Sequence, residues 1–143
     1  MWRWIMNYDL SSQFEIKSGI HGIGVFATKD IKKGELIFTM EGKTVNHPTR
    51  TSVQIDAKLH IEDKIAGRIN HSCTPNAKVD RKTKSFISLK DIKIGDEITF
   101  DYNQNEDTLA SPFICHCCHR LITGKKQLQE NKNSTDILSG LHH

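Results

Sequence analysis

Two short stretches of this chain collect residues able to bind something. INHSCTPNA (residues 69–77) packs an Asn-His pair, a lone cysteine and a Pro-Asn step together. Pro75 lacks an N–H and biases Thr74 away from the helical region, and a central strand would reject the same proline. The stretch therefore reads as a shaped polar loop, and polar loops held by a scaffold are where binding residues tend to sit. Further on, FICHCCHR (113–120) offers Cys115, Cys117 and Cys118 with His116 and His119 beside them. Thiolate and imidazole are the donors zinc prefers, four to a tetrahedron. Three clustered thiols leave that set one short unless His116, His119 or the remote Cys73 completes it. Zinc is the leading reading, with uncoordinated thiols and a disulfide as the alternatives.

Two other stretches carry weaker signals. HGIGVF (21–26) holds a G-x-G, which allows close backbone approach to a ligand because glycine has no Cβ. It lacks the third glycine and the helix of a dinucleotide fingerprint, so alone it reads first as a tight turn entering a strand. GDEITFDYN (95–103) reads as a turn, a strand and then Asp-Tyr, with Ile98 and Phe100 on one face. The Tyr102 hydroxyl must find a partner, which could be a reacting group; in isolation a core tyrosine at a strand end is the simpler account.

The elements that must position these residues are short strands. FEIK (14–17), the GVFA run after the glycine turn, the segment after the Lys-Gly turn in IKKGELIFTMEG (31–42), SVQID (52–56), KLHIE (58–62), AKVD (77–80), KSFISLK (84–90) and DEITFDY (96–102) all fit strands. KTVNHPTRT (43–51) reads as a loop around Pro48, and EDKIAGRIN (62–70) allows one helical turn. No stretch before residue 103 sustains helical apolar spacing. The expectation is a mainly β, irregular domain, followed by a polar stretch (125–143) with a short helix at 125–131 and then disorder.

Composition narrows the function. The 143 residues suit one domain, and 20 basic against 17 acidic residues leave a net charge of +3, too balanced to argue for nucleic acid. No apolar run is long enough for a membrane span. MWRWIMNYDL at the start has no signal-peptide pattern, which favours an intracellular, reducing setting, cytoplasmic or nuclear, for the four cysteines.

Read in order, these pieces resemble the SET domain of protein lysine methyltransferases. HGIGVFATKDIKKGELI is similar to the family's N-terminal segment, GRINHSCTPNA carries its N-H-S-C-x-P-N signature, and IKIGDEITFDY matches its G-E-E-[LI]-T-[FY]-D-Y strand with Asp96 for the first Glu. The cysteine cluster is similar to the post-SET zinc segment. The resemblance implies a SET domain over 14–103, a post-SET-like segment over 104–124, and a fold of small curved sheets with few short helices and a pseudoknot. It implies S-adenosylmethionine as methyl donor and a lysine-containing protein or peptide, a histone tail among the candidates, as acceptor.

Residue by residue, the resemblance assigns cofactor contacts to Gly22, Ile23, Gly24, Asn70, His71 and Tyr102, and catalysis to Tyr102. Phe100, two before it, would set how many methyls are added, and a phenylalanine there implies di- or trimethylation. Zinc would take Cys73, Cys115, Cys117 and Cys118. The family's third tail cysteine falls where Ile122 stands, so Cys118 substitutes, with His119 as the alternative. Met40 occupies the place of a channel tyrosine found in many relatives. A catalytically weak scaffold or binding module of the same fold is the competing expectation.

Overall fold

The computed structural model describes residues 13–19, 22–115 and 118–125. Its elements, in chain order, are β1 (Phe14–Gly19), β2 (Gly22–Ala27), β3 (Leu36–Thr39), β4 (Lys43–Val45), β5 (Val53–Asp56), β6 (Leu59–Glu62), a 3-10 turn (Ala66–Arg68), β7 (Asn70–His71), β8 (Ala77–Asp80), β9 (Ser85–Ser88), β10 (Thr99–Phe100), α1 (Tyr102–Asn105), β11 (Phe113–Ile114) and β12 (Leu121–Ile122). Among the described residues they make five small sheets: β1-β2, β3-β9-β8, β4-β6-β5, β10-β7 and β11-β12. The mainly β architecture of small sheets with few short helices is the one expected from the sequence.

Strands this short cannot bury much apolar area individually, so the sheets share one core. Val25, Ile31, Phe86, Ile92 and Ile98 are at most 1% exposed, and they come from β2, from β9 and from the turns between strands. Phe14, Phe38, Phe86, Phe100 and Tyr102 form a ring chain with successive centroids 4.8–5.2 Å apart. That chain carries the packing from the first strand to the Tyr102 segment, with each offset or edge contact adding to area burial.

The central connection is the parallel pair β7-β10, in register Thr99↔Asn70 and Phe100↔His71. Asn76 holds it from the side. Its Nδ2 donates to the Glu97 carbonyl at 2.8 Å, and its Oδ1 accepts from the Thr99 N–H at 2.9 Å. One side-chain amide thus satisfies two main-chain groups as a neighbouring strand would. Meanwhile the Asn76 carbonyl accepts from Leu89 N at 2.8 Å, tying the loop to the opposite side.

Three local expectations are corrected. Part of the 43–51 loop is strand β4, because Lys43–Val45 pair with His60–Glu62 of β6. The 96–102 strand shrinks to two residues, since Asp101 ends it as the N-cap of α1, its Oδ1 accepting from Asn103 N at 2.9 Å. Asn70–His71, read as loop, are strand β7. The helix expected at 125–131 and the polar stretch beyond it lie outside the described residues, apart from Lys125.

Candidate functional site

The site is a cleft of about 1330 Å³ where the glycine turn, β7, β10 and the tail meet. Ile23, Asn70, His71, Phe100, Tyr102 and Phe113 all line it. The residues singled out from three separate motifs are therefore brought to one place. Gly22 has φ +93, a conformation that glycine adopts without strain, and Gly24 is buried beneath the Glu97 carboxyl.

Asn70 is half-buried. Its Nδ2 donates to the Ile23 carbonyl at 3.1 Å and to Glu97 Oε2 at 2.7 Å, joining β7 to the glycine turn. His71 behaves differently. Its side chain is 1% exposed, and Nδ1 accepts the Tyr102 N–H at 3.0 Å, with Asp101 Oδ1 at 3.7 Å. Burial pushes the imidazole's pKa down, Asp101 opposes and Arg120 assists. With Nδ1 accepting, the neutral ring carries its proton on Nε2, which lies 3.5 Å from Cys73 Sγ. The imidazole thus braces the Tyr102 segment through Nδ1 and turns Nε2 towards Cys73.

Tyr102 opens α1 with its hydroxyl donating to the Ile69 carbonyl, at the start of the signature loop. Burial raises the phenol's pKa well above its ordinary value, and Glu106 and Glu97 add to the effect, so the hydroxyl keeps its proton. Phe100 is 4% exposed between Phe86 and Tyr102. Phe113 of β11 stands 6.0 Å from the Tyr102 ring and 5.9 Å from His71, closing the cleft from the tail side. Met40, 3% exposed, is a core residue.

Sequence reasoning missed what holds this tail in place. Asn103 Oδ1 accepts from Thr123 N at 3.1 Å and Gly124 N at 2.9 Å, pinning the chain after β12 against α1. Nothing in a lone buried Asn signals that role. Glu97 was within the recognised motif, but a carboxyl beside a Gly-Asp turn reads as solvated.

The cysteines meet as well. Cys73 and Cys118 are joined in a disulfide, where thiols available to a metal were expected, and Cys115 Sγ lies 3.6 Å from Cys73 Sγ. The reason is local: Cys115 N donates to Arg120 O and His119 N to Cys115 O, a tight turn that aims the tail at the signature loop. Zinc at about 2.3 Å from each thiolate sets sulfurs about 3.8 Å apart, close to the Cys73–Cys115 spacing. His71 Nε2, Cys73 Sγ and Cys115 Sγ all lie within 4.8 Å of one another. The donor chemistry fits zinc once the disulfide is reduced, because only thiolates ligate. Cys117 lies outside the described residues, and His119 has φ +58.

Comparison with known proteins agrees with this geometry. Residues 22–103 match the SET domain family. The chain is 31% identical over 147 aligned residues to "Histone-lysine N-methyltransferase, H3 lysine-36 specific" of Yarrowia lipolytica, covering 82% of this chain and 19% of that protein. It is 33% identical over 109 residues to "Methyltransferase flvH" of Aspergillus flavus, covering 64% of this chain and 60% of the other. Among solved structures, it superposes with a TM-score of 0.58 and 20% identity on KRYPTONITE in complex with mCHH DNA, H3(1-15) peptide and SAH, over 73% of this chain and 27% of that one. The chain belongs to the SET domain family. It spans about one fifth of the Yarrowia protein and three fifths of the Aspergillus one.

One carboxyl beside the site has a pH consequence. Glu106 is 3% exposed and lines the cleft, its Oε2 accepting from Gln54 N at 2.9 Å and from Asn105 Nδ2. Burial pushes its pKa up to about 6, against the hydrogen bonds from Gln54 and Asn105 and the Arg81 charge. The folded state therefore holds this proton more tightly than the unfolded chain does. Its stabilisation is complete below the unfolded carboxyl range and is lost as pH rises through about 6. Glu106→Gln should gain about 1 kcal/mol relative to wild type between pH 5 and pH 7.5, read by urea melts. A pH-independent difference would show that the carboxyl is solvated.

Proposed function

We propose that this chain binds S-adenosylmethionine and transfers its methyl group to the ε-amine of a lysine in a protein substrate. The observation that carries this reading is the convergence of the glycine turn, Asn70 and the Tyr102 hydroxyl on one cleft. The cofactor supplies an electrophilic methyl on a sulfonium. In-line transfer asks the protein mainly for alignment, and the paired β7 and β10 would supply it. The incoming amine must be neutral, although lysine in water has a pKa near 10.4. The apolar wall of Phe100 and Phe113 disfavours the ammonium. Transfer would form the N–C bond from the amine's lone pair while the C–S electron pair stays on sulfur, and the product's extra proton would leave to solvent. Tyr102 donates its hydroxyl hydrogen bond to the Ile69 carbonyl, so it would meet the reacting groups through its oxygen lone pairs.

Phe100 supports two or three additions, because a tyrosine there would bring a hydroxyl into space a methylated amine needs. The similarity to histone-lysine methyltransferases makes a histone tail the first substrate to test, in the nucleus, with Gly22, Ile23, Gly24, Asn70, the His71 main chain and Tyr102 as cofactor contacts. The decisive assay uses labelled S-adenosylmethionine with histones and other protein fractions. Tyr102→Phe should lose about 100-fold or more in transfer, and Phe100→Tyr should shift the products to monomethyl-lysine by mass spectrometry. No incorporation and no cofactor binding by wild type would favour the scaffold reading.

The tail is proposed as a zinc segment with Cys73, Cys115, Cys117 and Cys118 as ligands, His119 being the alternative to Cys118. Metal there would pin a segment with little core of its own. Protein purified under reduction should carry about one zinc per chain, and Cys73→Ser should lose it. Retained zinc in Cys73→Ser would place the metal within the tail alone.

A further inference from the structure

We infer that Glu97 is a positioning residue that fixes which way the Asn70 amide faces, so that the cleft receives an acceptor and not a donor. The inference rests on the cofactor reading above and adds a residue that the motifs do not assign. Asn70 Nδ2 sits between two groups, the Ile23 carbonyl at 3.1 Å and Glu97 Oε2 at 2.7 Å. Both only accept. The atom turned to them must therefore be the NH2, and both its hydrogens are spent there. What remains of Asn70 for a ligand is Oδ1, on a residue that lines the cleft.

Without Glu97 a single carbonyl would hold the amide, and the flipped orientation would cost only that one bond. Several features show that the carboxyl is built into place. The Glu97 main chain is bridged to Phe26, and its carbonyl takes the Asn76 Nδ2 hydrogen bond at 2.8 Å. A Cβ at Gly24 would come within 2.4 Å of Glu97 Oε2, so the carboxyl reaches Asn70 only because position 24 has no side chain. This gives the second glycine of the turn a role independent of direct ligand contact. A ligand that donates to Asn70 Oδ1 and carries positive charge, such as an α-ammonium compound, suits an acceptor flanked by a carboxylate.

The test is calorimetry with S-adenosylhomocysteine together with cofactor KM and kcat, on wild type, Glu97→Leu and Glu97→Gln, with melting temperatures recorded. Glu97→Leu should weaken binding and raise the cofactor KM by about tenfold or more, with kcat little changed. Glu97→Gln should restore binding to within a few-fold, because its amide oxygen still accepts from Asn70. In an Asn70→Ala background, Glu97→Leu should add nothing further. Unchanged affinity in folded Glu97→Leu, or additive losses in the double variant, would overturn the inference. So would Glu97→Gln binding as weakly as Glu97→Leu. Should Glu97→Leu fail to fold, Glu97→Asp shortens the reach and should weaken binding, and wild-type affinity in it would count against the role. No binding by wild type would instead sink the cofactor reading, and this inference with it.

Discussion

The two hydrogen bonds of the Asn76 side chain are the constraint on which the rest depends. Two stretches distant in sequence must lie parallel and adjacent, and a two-residue parallel pair is too short to hold itself. Asn76 clamps that pair by binding the carbonyl of Glu97 and the N–H of Thr99. With it in place, Asn70 lies beside Thr99, His71 beside Phe100, and Tyr102 falls one step beyond, its hydroxyl reaching back to Ile69. A slip of one residue in this register would turn Phe100 and Thr99 to opposite faces and take the tyrosine off the cleft.

From that clamp the tail is coupled to the site in two ways. Asn103, on the same helical turn as Tyr102, receives the N–H groups of Thr123 and Gly124. His71 holds Tyr102 with one ring nitrogen and faces Cys73 with the other. A change in the bonding of Cys73, whether to Cys118 or to a metal, therefore acts one imidazole away from the tyrosine. The sulfur cluster is thus packed directly against the residue that holds Tyr102.

Much of this could be read from residue order. Alternating apolar positions marked most strands, and the proline-bearing signature loop and the Asp-Tyr strand marked where ligand contacts would gather. What stayed hidden has a physical reason. Lys43–Val45 form a strand because β6 is there to pair with them, and the alternation of KTV alone is too short to say so. His71 as an internal brace depends on Tyr102, far along the chain. Glu97, Asn76, Asn103 and Glu106 are polar residues whose burial comes only from the crossing of segments, and no local pattern announces that. The Cys73–Cys118 bond likewise follows from a tail fold set by Cys115 and Arg120, where the resemblance implied four separate metal ligands.

The central claim is that three distant segments make one cofactor cleft. Backbone hydrogen exchange with and without S-adenosylmethionine tests it most directly. Slower exchange together at 22–24, 69–72 and 97–102, with β4 and β9 unchanged, is the predicted result. Protection confined to one of these stretches, or falling elsewhere in the chain, would contradict it.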